Sequence, residues 1–163
     1  GMTPAWRAGL EAAYGPLFAQ ALDNPPGRLS DAVVNGAAWR RAEIPAINGH
    51  ATARGISRLY GLLADDEPPP AGRLLSPALL DEALSDQAVG EDVFLKRHAR
   101  WGLGFQLDVD GFGHGGLGGA LGWGNREYRF GFAYVTNFMA EHDRAMAVYA
   151  AVADTLGFAL PED

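Results

Sequence analysis

Residues 100–137 read RWGLGFQLDVDGFGHGGLGGALGWGNREYRFGFAYVTN and constrain the chain more than any other stretch. Eleven of the chain's 22 glycines fall between Gly102 and Gly131, interleaved with aromatic residues. Trp101, Leu103, Phe105, Leu107 and Val109 alternate with small or polar residues, the period-2 pattern of a strand with one buried face. Asp108-Val-Asp-Gly111 is turn chemistry, and a second extended piece runs from Phe112 to Trp123. The 124–127 run Gly-Asn-Arg-Glu marks another turn, after which Tyr128, Phe130, Phe132 and Tyr134 alternate again. The pattern predicts three antiparallel strands in a meander.

Glycine weakens both helices and strands, so its concentration here needs a cause. Strand glycines let another backbone, a helix or a ligand come close. The densest run is His114-Gly115-Gly116-Leu117-Gly118-Gly119, and it carries one ionisable side chain. Two readings are open. The run is a strand edge lining a pocket with His114 pointing into it, or it is a tightly turned hairpin with a surface histidine.

The 163 residues, 48% hydrophobic and 20% charged, suit a single domain over residues 2–163, with Gly1 before Met2 read as a tag remnant. A net charge of −7 argues against nucleic acid and anionic membranes as partners, since both need clustered Lys and Arg. No cysteine is present, so thiolate nucleophiles and Cys-ligated metals are excluded, and a reducing, cytoplasmic setting fits. No apolar run is long enough for a membrane span, and no signal peptide is expected at the start.

Helix signals punctuate the rest. Thr3-Pro4 starts one helix and Gly15-Pro16 breaks it before a short turn at 17–22. Residues 28–47 show no sustained period and predict an irregular segment anchored by Trp39 and Ile44. Thr52 caps a helix whose Ile56, Leu59, Tyr60 and Leu63 recur at helical spacing. The charged, proline-rich run from Asp65 to Gly72 reads as a solvated loop. Ser76-Pro77 caps another helix, and residues 85–99 read as polar and irregular. A last helix starts at Asp143, with Ala145, Val148, Tyr149, Val152 and Leu156 as its apolar stripe and Gly157 as its stop, and is expected on the sheet. Helices, then strands, then a helix make the fold class α+β, an antiparallel sheet of about three strands packed with helices.

Familiar catalytic spacings are missing. The histidines His50, His98, His114 and His142 form no HExxH or HxH pattern, so no metal site is expected. There is no phosphate-binding loop and no GxSxG elbow. Ser57 and Ser76 read as structural, His50 as part of a turn ordering the next helix, and His98 and His142 as surface residues. Asn137 is expected at a strand end, satisfying local backbone groups.

The block EIPAINGHATARGISRLYGLLA at 43–64, with FGHGGLGGALGWGNREYRFGFAYVTN at 112–137, resembles the serine β-lactamase and penicillin-binding-protein superfamily, most of all its class C-like esterase branch. The resemblance implies an incomplete β-lactamase-like fold, with this chain matching the C-terminal half of the family's domain. It implies that His114-Gly115-Gly116 stands where the family has a Lys-Thr-Gly or His-x-Gly triplet beside the nucleophile. His114 would then be catalytic, Gly115 and Gly116 would line the substrate, and the backbone N–H of Leu117 would be an oxyanion donor. No cofactor is implied, and the substrate would be a small ester or amide.

Two family features are absent. The family's nucleophile lies in Ser-x-x-Lys, but Lys96 is the sole lysine here and residue 93 is Val93. No tyrosine is followed two positions later by Asn, so Tyr-x-Asn is missing as well. The expectation is therefore one wall of a hydrolytic site, inactive as this chain, awaiting a separate N-terminal half. The competing expectation is a non-catalytic module that binds a small molecule or itself. Either way an open strand edge or the Tyr128–Tyr134 face predicts a homo-oligomer.

Overall fold

The computed structural model describes residues 3–66, 73–158 and 160. The chain divides into two compact units, 1–50 with 91–98, and 51–90 with 99–163.

In the first unit, helix α1 (Pro4–Tyr14) begins where the Thr3 hydroxyl accepts the Trp6 N–H at 3.1 Å. Gly15, at φ +90°, separates it from α2 (Pro16–Leu22). Arg7 ties the two together through Asp23 at 2.8 Å. The segment expected to be irregular contains two short helices, α3 (Asp31–Val34) and α4 (Ala37–Arg41). They are too short to show a period. Asn48 orders the turn after α4, accepting the Ile44 N–H and donating to the carbonyls of Trp39 and Ala42. His50 lies in the same turn, its Nδ1 2.7 Å from the Asn48 carbonyl.

The second unit holds α5 (Ala53–Ala64), α6 (Pro77–Ala83), α7 (Asp143–Leu156) and most of the sheet. Caps at Thr52 and Ser76 start α5 and α6, and Gly157 stops α7 in the left-handed region. The sheet has six antiparallel strands in sequence order rather than three: β1 (Ala88–Asp92), β2 (Arg97–Trp101), β3 (Gln106–Asp108), β4 (Gly111–Gly116), β5 (Ala120–Asn125) and β6 (Phe130–Tyr134). Three differences account for the count. Residues 85–99 are not irregular but form the β1–β2 hairpin, whose turn is held by Asp92 accepting from the Phe94 and Leu95 N–H groups. Half of its strand residues are exposed and only Ala99 is buried, so no apolar alternation announced it. The strand expected over Trp101–Val109 is interrupted after Trp101, where Gly102 N–H bonds Phe105 O at 2.9 Å and Leu103 N–H bonds Ala83 O at 2.8 Å. The piece expected over Phe112–Trp123 folds back at 117–119, with Gly118 and Gly119 at φ +98° and +91°.

The two sheet faces differ sharply in side-chain size. Leu121, Trp123, Phe132, Phe130 and Tyr134 form one core with Ala145, Tyr149 and Ala153 of α7 and with Phe158. The opposite face presents Gly122 and Gly131 to α5. A Cβ on Gly131 would run into the Ser57 carbonyl and the Gly61 nitrogen, and one on Gly122 into Tyr60 and Ile56. Glycine is therefore what admits the α5 backbone to the sheet. The C-terminal end of α5 is pinned by charge. Arg126 binds Asp66 and Asp81 at 2.8 Å each, and Arg129 binds Asp65 at 2.6 Å. Asp65 and Asp66 are thus each ion-paired, Asp66 while its side chain stays exposed, and residues 67–72 lie outside the described residues.

Gly131→Ala should lower stability by roughly 1–3 kcal/mol, because an overpacked backbone contact has no room to relax. Gly9→Ala, in α1 with nothing within 4 Å of its added methyl, should instead gain about 0.5–1 kcal/mol. Urea unfolding of the two variants checks the contrast.

Candidate active site

The alternation of β4 decides what its residues face. Phe112 pairs with Gly124, Gly113 with Trp123, and His114 with Gly122, so Phe112 and His114 share the α5 side of the sheet with the glycines. Phe112 is buried there beside Tyr60, at 5.9 Å between ring centroids. His114 is exposed, with the Trp101 ring alongside at 5.7 Å and tilted by 34°. The strand lies inside the sheet, hydrogen-bonded to β3 and β5, and is not the edge that glycine content suggested. His114 therefore stands on an open face. Tyr60, over the neighbouring Gly122, has its phenol pushed above the usual value by burial.

Gly115 looks the other way, and His142 lies against it. A Cβ there would stand 2.7 Å from His142 Nε2, a buried nitrogen with no hydrogen-bond partner among the described residues. His142 is thus partly buried behind the ribbon rather than a free surface residue, at the first turn of α7. Gly116 pairs with Ala120, and Leu117 opens the tight turn with its side chain 40% exposed. That turn is fixed by Gly119 N–H to Gly116 O and by Ala140 N–H to Gly118 O, both 3.1 Å, and neither bond engages the Leu117 N–H. Of the other singled-out residues, His98 is exposed. Asn137 is exposed too, lying beyond β6 in a loop held by Thr136, whose hydroxyl accepts the Phe138 N–H at 3.0 Å.

The other end of the sheet holds two cavities, of about 270 and 210 Å³, which share Val109, Asp110, Asn125 and Glu127 in their walls. Neither is lined by His114, Gly115, Gly116 or Leu117. Asp110 accepts the Tyr149 hydroxyl at 2.9 Å, tying α7 to the β3–β4 turn. Burial raises the Asp110 carboxyl above its ordinary value, and the Tyr149 hydrogen bond opposes that rise. Burial first, then the Asp110 charge, raise the Tyr149 phenol far beyond its usual range. The buried Trp123 indole N–H lies by the same pair without reaching hydrogen-bond geometry, yet favours the ionised form of each. This cluster has no signature in the sequence because its members are spread over 110–149 with no common spacing. Among the described residues no three His, Asp or Glu gather to hold a metal, and no helix is long and apolar enough to cross a membrane.

Comparison with known proteins places the chain in a family. The beta-lactamase family profile matches residues 3–156. The esterase/beta-lactamase LipL of Mycobacterium tuberculosis (strain ATCC 25618 / H37Rv) is 34% identical over 139 residues, covering 76% of this chain and 32% of that protein. The crystal structure of a family VIII carboxylesterase superposes with a TM-score of 0.74 at 29% identity, covering 88% of this chain and 40% of the other. A penicillin-binding protein homolog from Caulobacter crescentus superposes at 0.59 with 31% identity, over 84% and 35%. The chain thus spans about a third of the length of the curated relative it matches.

Asp110 supplies a pH signature. A carboxyl whose folded value lies above its unfolded one, about 3.9, favours the fold while protonated, and that contribution is lost as pH rises through the folded value. Asp110→Asn keeps an acceptor for Tyr149 and removes the charge. It should melt higher than the parent at pH 7, with the difference shrinking towards pH 4, as thermal melts across that range will read.

Proposed function

This chain belongs to the beta-lactamase family, and on that premise we propose that it carries the substrate-polarising wall of a serine hydrolase acting on small esters or amides. The observation that carries this reading is the pairing of an exposed His114 with a tight glycine turn in which the Leu117 N–H is left out of the turn's own hydrogen bonds. In acyl transfer the carbonyl oxygen gains charge at the transition state. A fixed backbone N–H at that point stabilises it, and loss of one such donor typically costs ~10²–10³ in rate. Leu117 would serve as that donor. His114 would donate or accept a proton at the reacting group, Trp101 would limit its swing, and Gly115 and Gly116 would leave room for the acyl group.

Attack needs a hydroxyl with an adjacent base. Ser-x-x-Lys and Tyr-x-Asn are not among these 163 residues, so the proposal places both on a segment outside them, which meets the open His114 face. Alone, the chain would act as a non-catalytic binding module, and the missing nucleophile favours that second reading for the chain in isolation.

Hydrolysis of p-nitrophenyl acetate separates the readings. The chain alone should not exceed buffer. With the family's Ser-x-x-Lys segment added, turnover should appear, and His114→Ala should lower kcat by roughly 10²-fold or more. Turnover that survives the substitution unchanged contradicts the assignment.

A further inference from the structure

We propose that His142 is a positioning residue: through Gly115 it holds the 115–119 ribbon, and with it the Leu117 N–H, in the place that receives the oxyanion. The inference rests on the reading of that ribbon as the wall of a hydrolytic site, and it names what fixes the wall from behind.

The segment 139–142 grips the ribbon at three glycines. A Cβ on Gly115 would stand 2.7 Å from His142 Nε2 and 3.4 Å from both Cδ2 and Cε1, so the ring meets the strand apex-first. A Cβ on Gly119 would meet the carbonyl oxygens of Glu141 and Ala140 at 2.7 and 2.9 Å, and one on Gly118 the Met139 side chain at 2.9 Å. Ala140 N–H donates to Gly118 O at 3.1 Å. Leu117 is the residue between these holds.

The grip has a fixed anchor. His142 immediately precedes α7, and its carbonyl accepts the Met146 N–H at 2.9 Å. Ala145 and Tyr149 bury the same helix in the aromatic core. Arg144 donates to the Phe138 carbonyl at 2.6 Å and lies over the Phe138 ring at 5.3 Å, which ties the far end of the segment to α7 as well. The ribbon can therefore move back only by displacing α7, and forward only by opening a gap that forfeits packing.

Of the three contacts, that of His142 works against the fold's own stability. Its Nε2 is buried with no hydrogen-bond partner among the described residues. A buried polar atom left unpaired is unfavourable, and an apolar side chain could fill the space without that cost. This chain's own atoms enclose the nitrogen, so its burial does not depend on any further segment. Function at the ribbon accounts for keeping a ring apex there.

The test is ¹⁵N relaxation of the whole chain together with titration by an alkyl phosphonate. In the parent, the amides of 116–119 should be as ordered as those of β5. His142→Ala should lower their order parameters from about 0.85 towards 0.6, leave β6 unchanged and weaken phosphonate binding about tenfold, a fraction of what outright loss of an oxyanion donor costs in rate. Gly115→Ala should weaken binding by driving the ribbon off the ring. It should regain affinity in the His142→Ala background, where the methyl enters the vacated space, because residues in contact couple in this way. A loss at Gly115→Ala that persists once the ring is gone lies on the substrate side and overturns the proposal. So does a His142→Ala chain that melts lower yet binds phosphonate unchanged, the behaviour of a merely structural side chain. Phosphonate that fails to bind even the parent overturns the site reading and this inference together, so the parent titration tells the two failures apart. Should His142→Ala fail to fold, the parent decides: order parameters below about 0.6 at 116–119 overturn the proposal.

Discussion

The contact between α5 and the bare face of β5 and β6 is the constraint on which the rest of the second unit depends. Gly131 meets Ser57 and Gly61 backbone to backbone, and Gly122 lies under Tyr60 and Ile56. A side chain at either strand position would lift the helix off the sheet. Glycine costs conformational entropy at each place. Close packing of a helix against a strand, with dispersion contacts along its length, offsets that cost. The opposite face can then be largely aromatic, because α7 presents Ala145 and Ala153 to it and leaves room for Trp123, Phe130 and Phe132.

This division of labour also sets what β4 can display. Its residues alternate between the two faces, so Phe112 is swallowed by the core under α5 while His114, two residues on, emerges beside Trp101. On the reverse side Gly113 and Gly115 leave space for Trp123 and His142. The ribbon is thereby backed by rings on one side and open on the other. An exposed imidazole on a strand braced from behind is a suitable wall for a site completed by another segment. The polar cluster of Asp110 and Tyr149 lies at the far end of the sheet and fastens α7 there. It serves the fold and stands apart from the His114 end.

Helix starts were legible because each is written locally: Thr3, Thr52 and Ser76 cap the helices they precede, and Gly157 ends the last. The α+β class came from element order, and the family from two long blocks of sequence. The strand count was not legible. Period-2 alternation continues across Gly102–Phe105, and the glycine run through Leu117–Gly119 reads as extended, although the backbone reverses in both, and glycine carries no mark that separates a strand position from a turn. The β1–β2 hairpin was hidden because its strands bury a single residue, Ala99, and so show no apolar face. His142 was unreadable for a different reason. Its place is defined by the side chain that Gly115 lacks, and an absent group leaves no pattern.

If the His114–Leu117 ribbon is the wall of a hydrolytic site, it must be able to receive a tetrahedral oxyanion. Titrating the ¹⁵N-labelled chain with a non-hydrolysable alkyl phosphonate, read by amide and imidazole chemical shifts, tests this without any nucleophile. Saturable shifts confined to the Leu117 amide, the His114 ring and their neighbours are the predicted result. Shifts at the Asp110 end, or none at millimolar phosphonate, would contradict it.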